Sequence, residues 1–280
     1  MTKRIVLCAD DYGQAEAVSR GILDLLAAGR LTAVSCMVNQ PGWQEQAQWL
    51  QQYRDKADIG LHLNFTHGSP LSEDYRDHIG ETFMSLPGLI WETMTDAKWF
   101  YREGLAAEIE AQLDAFTAAM GFAPNFIDGH QHVQHLPLIS DELIHVYRNK
   151  LQDEPVYVRS VSEEMGIFDY FFKDFKKVVI YFTGGAGFAE HLDLNGIPHN
   201  TTFAGFYPFG NARCYRRYFR KFLRGSADRG LIMCHPGVAA NDKSDPIRRS
   251  RAAEFDYLRS QEFTEDCERY DVTLTRFVTR

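Results

Sequence analysis

The sequence predicts an α/β fold, a (β/α) barrel of the TIM-barrel kind, irregular and with seven or eight strands. Short apolar runs of strand length recur along the chain. They alternate with segments whose apolar residues return every three or four positions, the pattern of a parallel sheet covered by helices. About eight such runs favour closure into a barrel over an open doubly wound sheet. A dinucleotide-binding open sheet would also need a glycine-rich turn after its first strand. Ala9-Asp10-Asp11-Tyr12-Gly13 holds that place instead.

Residues 4–9 (RIVLCA) read as a buried strand. A helix follows over 15–28, with Val18, Ile22, Leu25 and Leu26 on one face and Gly29 suited to its C-terminus. Residues 32–38 and 58–65 are the next two strands, separated by a helix carrying Trp43, Ala47 and Leu50. The stretch 71–99 looks irregular. Leu105, Ile109, Leu113, Phe116 and Met120 then define a strong helical stripe. Strands are expected over 125–133, 155–159, 201–206, 230–234 and 272–277, and helices over 139–147, 215–223 and 248–260. No Pro/Gly/Ser-rich linker divides the chain, so we expect one domain over 1–280, with insertions near 72–99 and 162–200.

The 280 residues are 45% hydrophobic and 24% charged, enough apolar mass for one large core. A formal net charge of -8 disfavours non-specific binding to nucleic acid. No apolar run reaches membrane length, and the N-terminal run is too short for a signal-peptide core. The five cysteines (Cys8, Cys36, Cys214, Cys234 and Cys267) are scattered, odd in number and without a CxxC pair. That fits free thiols in a reducing compartment, with the cytoplasm as the expected location.

Active sites of parallel α/β folds lie at the carboxyl ends of the strands. Polar residues that end an apolar run are few: Asp10 and Asp11, His62 and Asn64, Asp128, His130 and His132, Arg159, and His235. If the strand runs through them, Asp128, His130 and His132 face one side, because side chains alternate. Taken alone, Asp10-Asp11 reads best as a turn or helix cap, and the histidine pair equally well as a satisfied core pair. Together they weigh differently. Adjacent buried carboxylates repel, and a cation relieves them. One Asp with two neutral imidazoles makes a three-ligand site with open positions, the pattern of catalytic metal centres. A glycoside hydrolase is the main alternative, with Asp10 and Asp128 as its carboxylate pair, although the histidines argue against it. A sugar- or metal-binding protein without turnover is another.

These segments, in order and over nearly the whole chain, resemble the YdjC-like carbohydrate deacetylases (the ChbG and HpnK type). Ala9-Asp10-Asp11-Tyr12-Gly13 is similar to the family's ADDFG opening, with Tyr for Phe. Residues 31–39 (LTAVSCMVN) resemble its second strand. Gly60-Leu61-His62-Leu63-Asn64 and then Gly68-Ser69-Pro70-Leu71 resemble its GLHL and GxPL segments. Asp128-Gly129-His130-Gln131-His132-Val133 resembles its D-[GS]-H-x-H-V-H block, Val158-Arg159 its strand ending in Arg, and Cys234-His235-Pro236-Gly237 its HPG motif, with Arg251, Glu254 and Leu258 on the helix after it.

The resemblance implies a barrel that removes an N-acetyl group from an amino sugar, chito-oligosaccharide or glycolipid, and it is compatible with a homodimer. Carried over by position, Asp11, His62 and His130 would hold one divalent ion. Asp10 would be the general base and His235 the acid. Asp128, His132, Arg159 and Asn64 would support the ligands or contact substrate. Imidazole ligands favour Zn over Mg, while a mixed N/O set also accepts Mg, Mn, Co or Ni. Two departures stand out. Gln134 occupies a position where many members carry His, although His135 is adjacent, and Cys8 replaces an Asn whose hydrogen bond the chain would lack. Trp43, Trp91, Trp99, Phe203 and Tyr207 are candidates to stack on sugar rings, with core packing the favoured reading for each.

Overall fold

A computed structural model describes residues 2–95, 102–161, 184–238 and 243–277. Its strands are β1 (Lys3–Tyr12), β2 (Ala33–Cys36), β3 (Asp58–Leu63), β4 (Phe126–Gly129), β5 (Tyr157–Val158), β6 (Phe203–Ala204), β7 (Gly230–Cys234) and β8 (Val272–Leu274). All pairings are parallel. Seven strands run in the order β5-β4-β3-β2-β1-β7-β6, and β8 adds to β1. Among the described residues the ladder is a curled, barrel-like sheet. Its two ends approach each other. Val158 of β5 donates to Pro198 O at 2.9 Å and bridges His199, in the segment that leads into β6. The Asn200 side chain accepts from Ser160 N and donates to Ser160 O, tying the same junction.

The helices are α1 (Glu16–Ala27), α2 (Trp43–Leu50), α3 (Glu73–Ile79), α4 (Leu86–Met94), α5 (Arg102–Met120), α6 (Pro137–Lys150), α7 (Ala186–Leu194), α8 (Tyr215–Gly225), α9 (Arg248–Arg259) and α10 (Gln261–Arg269). The described part of the 71–99 stretch is therefore more regular than its sequence suggests. α3 is capped by Ser72, whose hydroxyl accepts from Tyr75 N. Phe65, Tyr75 and Phe83 pack ring on ring beneath it. Of the second expected insertion, 162–183 lies outside the described residues, and 184–200 contributes α7.

Side-chain alternation sorts each strand into two faces. Ile5, Leu7 and Ala9 of β1, Val34 and Cys36 of β2, Ile59, Leu61 and Leu63 of β3, and Ile232 and Cys234 of β7 belong to the large core between sheet and helices. Val6, Cys8, Ala33, Phe126, Tyr157, Phe203, Leu231 and Met233 form a second, inner cluster. The inner face has a consequence for function. Two residues further along the same strands, the inner positions become Asp10, Ser35, His62, Asp128, Arg159 and His235. The apolar plug is thus capped at its carboxyl end by a layer of polar side chains, most of them buried.

Candidate metal centre and its surroundings

Asp10 belongs to that layer by simple alternation; Asp11 does not. In a regular strand neighbouring side chains point to opposite faces, so Asp11 would enter the helix-facing core. The register between β1 and β2 instead slips between Ala9 and Tyr12. Asp11 takes φ 68, a left-handed conformation that Asp tolerates better than most residues. Gly13 follows at φ 94, where a Cβ would lie 2.7 Å from Met37 O. This bulge turns the Asp11 carboxylate back over the mouth beside Asp10.

The Asp11 Oδ1 atom then lies 2.9 Å from His130 Nδ1 and 3.5 Å from His62 Nε2. One donor atom from each of Asp11, His62 and His130 fits within 4.8 Å of the others. His62 is oriented from behind. Its Nδ1 meets Asp128 Oδ1 at 2.6 Å and Ser35 Oγ at 2.8 Å, and Ser35 also donates to Asp128. Burial lowers the His62 pKa, but Asp128 and Asp11 on its two nitrogens outweigh burial and lift it to about 10. Two imidazoles and a carboxylate thus converge on one point, a donor set that suits a divalent cation of the zinc type and accepts harder ions too.

Arg159, fully buried, serves the neighbouring carboxylates. Its Nη1 and Nη2 donate to Asp10 Oδ1 and Oδ2 at 2.8 and 3.0 Å, and Nη2 pairs with Asp128 Oδ2 at 2.9 Å. Burial pushes the Asp10 carboxyl up, but Arg159, with His62 and His235, holds it below the usual range. Asp11 behaves alike, held well down by Arg251 and His130 against its burial. Arg251, on α9, donates from Nη2 to Asp11 Oδ2 at 2.8 Å and to Gln14 Oε1 at 2.6 Å, while its Nε reaches Asp245. One turn later Glu254 accepts from His235 N and from the Tyr207 hydroxyl, both at 2.5 Å. A single helix thereby braces both the Asp11 carboxylate and the backbone of His235. The sequence marks these two residues through the family resemblance alone.

His235 Nε2 stands 3.9 Å from Asp10 Oδ2. Burial holds its imidazole down, to about 4, against the pull of Asp11 and Asp10. The thiol of Cys8 lies 3.5 Å from Asp10 Oδ1, so the position expected to lack a hydrogen bond supplies a weak one. Gln134 donates from Nε2 to Arg159 O at 3.1 Å and steadies that strand end.

The expected strand over 125–133 stops at Gly129. His130 to His135 form a short 3-10 turn in which Gln131 and His132 have φ 54 and 62. His132 is therefore not carried on one strand with Asp128 and His130, and it sits against the inner cluster, close enough to feel Arg159 and His235. It packs edge-on against Phe203 and Phe206, and burial drives its pKa well down. Asn64 stands aside. Its Oδ1 accepts from Thr66 N and His67 N, and its Nδ2 donates to His67 O and Asn39 Oδ1. Among the sugar-stacking candidates, Trp43 stacks on Phe116 in the core and Tyr207 is bound to Glu254. Phe203 packs with His132, Trp91 is 70% exposed on α4, and Trp99 lies outside the described residues.

A barrel-like parallel sheet carrying a two-histidine, one-aspartate cluster at its strand ends defines a class of site rather than one protein. The chain matches the YdjC-like protein family over residues 4–269, and it belongs to that family. It is 27% identical over 258 residues to a Danio rerio protein named carbohydrate deacetylase, covering 87% of this chain and 79% of that one. It is 31% identical over 174 residues to the Mus musculus carbohydrate deacetylase, covering 59% of this chain and 52% of the other. A Serratia marcescens chitooligosaccharide deacetylase is 30% identical over 148 residues, covering 50% and 53%. The chain thus spans about half the length of the mouse and Serratia relatives. A crystal structure from Enterococcus faecalis V583, described as a proposed cellobiose-phosphate cleavage protein, superimposes with a TM-score of 0.75 at 19% identity. The superposition covers 99% of this chain and 98% of that one, and establishes the shared fold.

Proposed function

We propose that this chain is a carbohydrate deacetylase, a hydrolase that removes the N-acetyl group of an amino-sugar substrate with the help of one divalent ion. The observation that carries the reading is the convergence of Asp11, His62 and His130 from three different strand ends, at a mouth where His130 and His235 are partly exposed. The names of the relatives supply the reaction class. We read residues 1–280 as one catalytic unit.

A divalent ion held by these three side chains would polarise the acetyl carbonyl and acidify a water. Asp128 and Ser35 fix which nitrogen His62 presents. Asp10 is the carboxylate beside the ligand set that is not itself one of the three, and Arg159 keeps it ionised and aimed, so it is the group placed to accept the water's proton. His235, 3.9 Å from Asp10 Oδ2, is the group placed to relay that proton to the departing amine. The carboxylate arrangement speaks against glycoside hydrolysis. Arg159 bridges Asp10 and Asp128, so neither is free to protonate a glycosidic oxygen.

The test is a panel of N-acetylated monosaccharides, chito-oligomers and acetylated glycolipids, offered to metal-free protein with and without added Zn, Mg, Mn, Co or Ni. Acetate release that depends on an added ion is expected for at least one substrate. Release of new reducing ends without acetate would replace this reading with the hydrolase alternative.

A further inference from the structure

We propose that His67 is a specificity-determining residue of the catalytic mouth, hydrogen-bonding the ring hydroxyl next to the acetamido group of the substrate. The proposal rests on the deacetylase reading above and concerns a residue that none of the family segments includes.

The first observation is how firmly an exposed loop is held. Between Asn64 and Ser72 the backbone is fixed at nearly every turn by side chains, most of them buried. Asn64 receives His67 N at 3.0 Å and donates to His67 O at 2.6 Å. Asn39 adds its own donors to His67 O and Ser69 O, at 3.2 and 3.1 Å. At the two ends of the loop, α5 supplies the clamps. Gln112 exchanges two hydrogen bonds with the Asn64 backbone, and Glu108 accepts from Leu71 N and Ser72 N. Both Glu108 and Gln112 are fully buried. Gly68, at φ 79, makes the turn that follows His67, and its carbonyl accepts from Phe83 N. Pinning both the N–H and the C=O of one exposed residue fixes the direction of its Cα–Cβ bond, and so narrows the rotamers its side chain can use.

The second observation is where that side chain goes. The His67 ring lies 6.4 Å from that of His130, nearly edge-on at 66°. It is thus at the rim of the Asp11–His62–His130 cluster. It is not one of the group whose donor atoms fall within 4.8 Å of one another. Among the described residues the His67 imidazole has this ring contact and no hydrogen-bond partner. An imidazole offers one donor and one acceptor, as does a hydroxyl. On a 2-acetamido sugar whose acetyl carbonyl sits at the cluster, the nearest hydroxyls are on the two adjoining ring carbons, C1 and C3. In a linked sugar C1 is taken up by the glycosidic bond, so the C3 hydroxyl is the one that stays available. A rim group one residue's breadth from His130 is placed to meet it. Asn39 and Asn64, which serve the loop backbone, hold the imidazole in register for that contact.

The experiment compares zinc-loaded wild type and His67→Ala by titration with N-acetylglucosamine and with its 3-deoxy analogue. We expect His67→Ala to bind N-acetylglucosamine about fivefold more weakly, as for loss of one neutral hydrogen bond. We expect no difference between the two proteins toward the 3-deoxy sugar, unchanged zinc affinity, and partial recovery in His67→Gln. Asn39→Ala, which loosens the loop without touching the sugar, should weaken N-acetylglucosamine binding in the same direction. Equal binding of N-acetylglucosamine by both proteins overturns the proposal. So does an equal penalty with both sugars, a loss of zinc by His67→Ala, or no binding by wild type. Failure of the deacetylase reading would look different. Zinc-loaded wild type would bind the sugar yet release no acetate from any N-acetylated substrate, and the comparison at residue 67 would still be readable.

Discussion

Replacing Arg159 by Met tests the electrostatic account of the polar layer most directly. Arg159 has 0% exposure and makes three contacts of 2.8, 3.0 and 2.9 Å to Asp10 and Asp128, which are themselves 1% and 0% exposed. Met keeps much of the volume and removes the charge, so two carboxylates are left buried without their cation. Breaking such a buried cluster from one side costs about 3–5 kcal/mol, a large share of the roughly 5–15 kcal/mol that holds a typical domain together. With a urea slope of about 3 kcal/mol/M, the unfolding midpoint should fall by about 1 to 1.7 M at neutral pH. The sign with pH is also fixed. In wild type the Asp10 carboxyl is held below its ordinary value, so its contribution is present at neutral pH and lost on acidification. Without Arg159, burial is opposed by His62 and His235 alone and the protonated carboxyls gain, so the deficit of the variant should shrink as pH falls. The double variant Arg159→Met with Asp10→Asn should recover about half of the loss, because the two residues share one interaction. A midpoint unchanged at neutral pH, or a deficit that grows with acid, would refute the reasoning.

Three further outcomes follow from the same geometry. Asp128→Asn, which disturbs the orientation of His62, should weaken zinc binding by about 10–100-fold in calorimetric titration, and a chelator should abolish acetate release from wild type. Asp10→Asn should bind zinc as wild type does while acetate release falls about 10²-fold or more, as for loss of a general base. Glu254→Gln probes a buried carboxyl that burial lifts from 4.5 to about 7. Because the folded state holds that proton more tightly, wild type should lose stability on the order of 3 kcal/mol as pH rises through this interval, and the variant should not. Thermal unfolding at several pH values reads the difference.

How much of this was legible beforehand depends on the kind of signal. The inner-face residues could be read because alternation continues an apolar pattern into a polar one, as Val6, Cys8, Asp10 or Leu231, Met233, His235 show. The placement of Asp11 could not, since nothing in Ala-Asp-Asp-Tyr-Gly distinguishes a bulge from a straight strand, apart from the glycine two residues on. The same blindness ran the fourth strand on through His132. A run of Gly-His-Gln-His carries no strong helix or strand preference, and the positive φ at Gln131 and His132 accompanies the packing of His132 against Phe203 and Phe206. Asn64 was grouped with the site because it ends an apolar run together with His62; its four side-chain hydrogen bonds go to the loop that follows and to Asn39. α10 escaped notice because its nine residues bury only Phe263, Asp266 and Cys267, too little apolar spacing to announce a helix.

The left-handed residue at the end of β1 also shapes what this chain can become. Asparagine accepts that backbone twist as readily as aspartate, and differs from it by a single atom and, in the genetic code, by a single base. Exchanging one for the other at position 11 would spare the bulge, while removing the one carboxylate of the Asp11–His62–His130 cluster. On the deacetylase reading proposed above, a folded descendant that binds its substrate without deacetylating it is therefore one mutational step away. Leucine or valine at the same place would oppose the twist itself, so along those routes the architecture would suffer together with the chemistry.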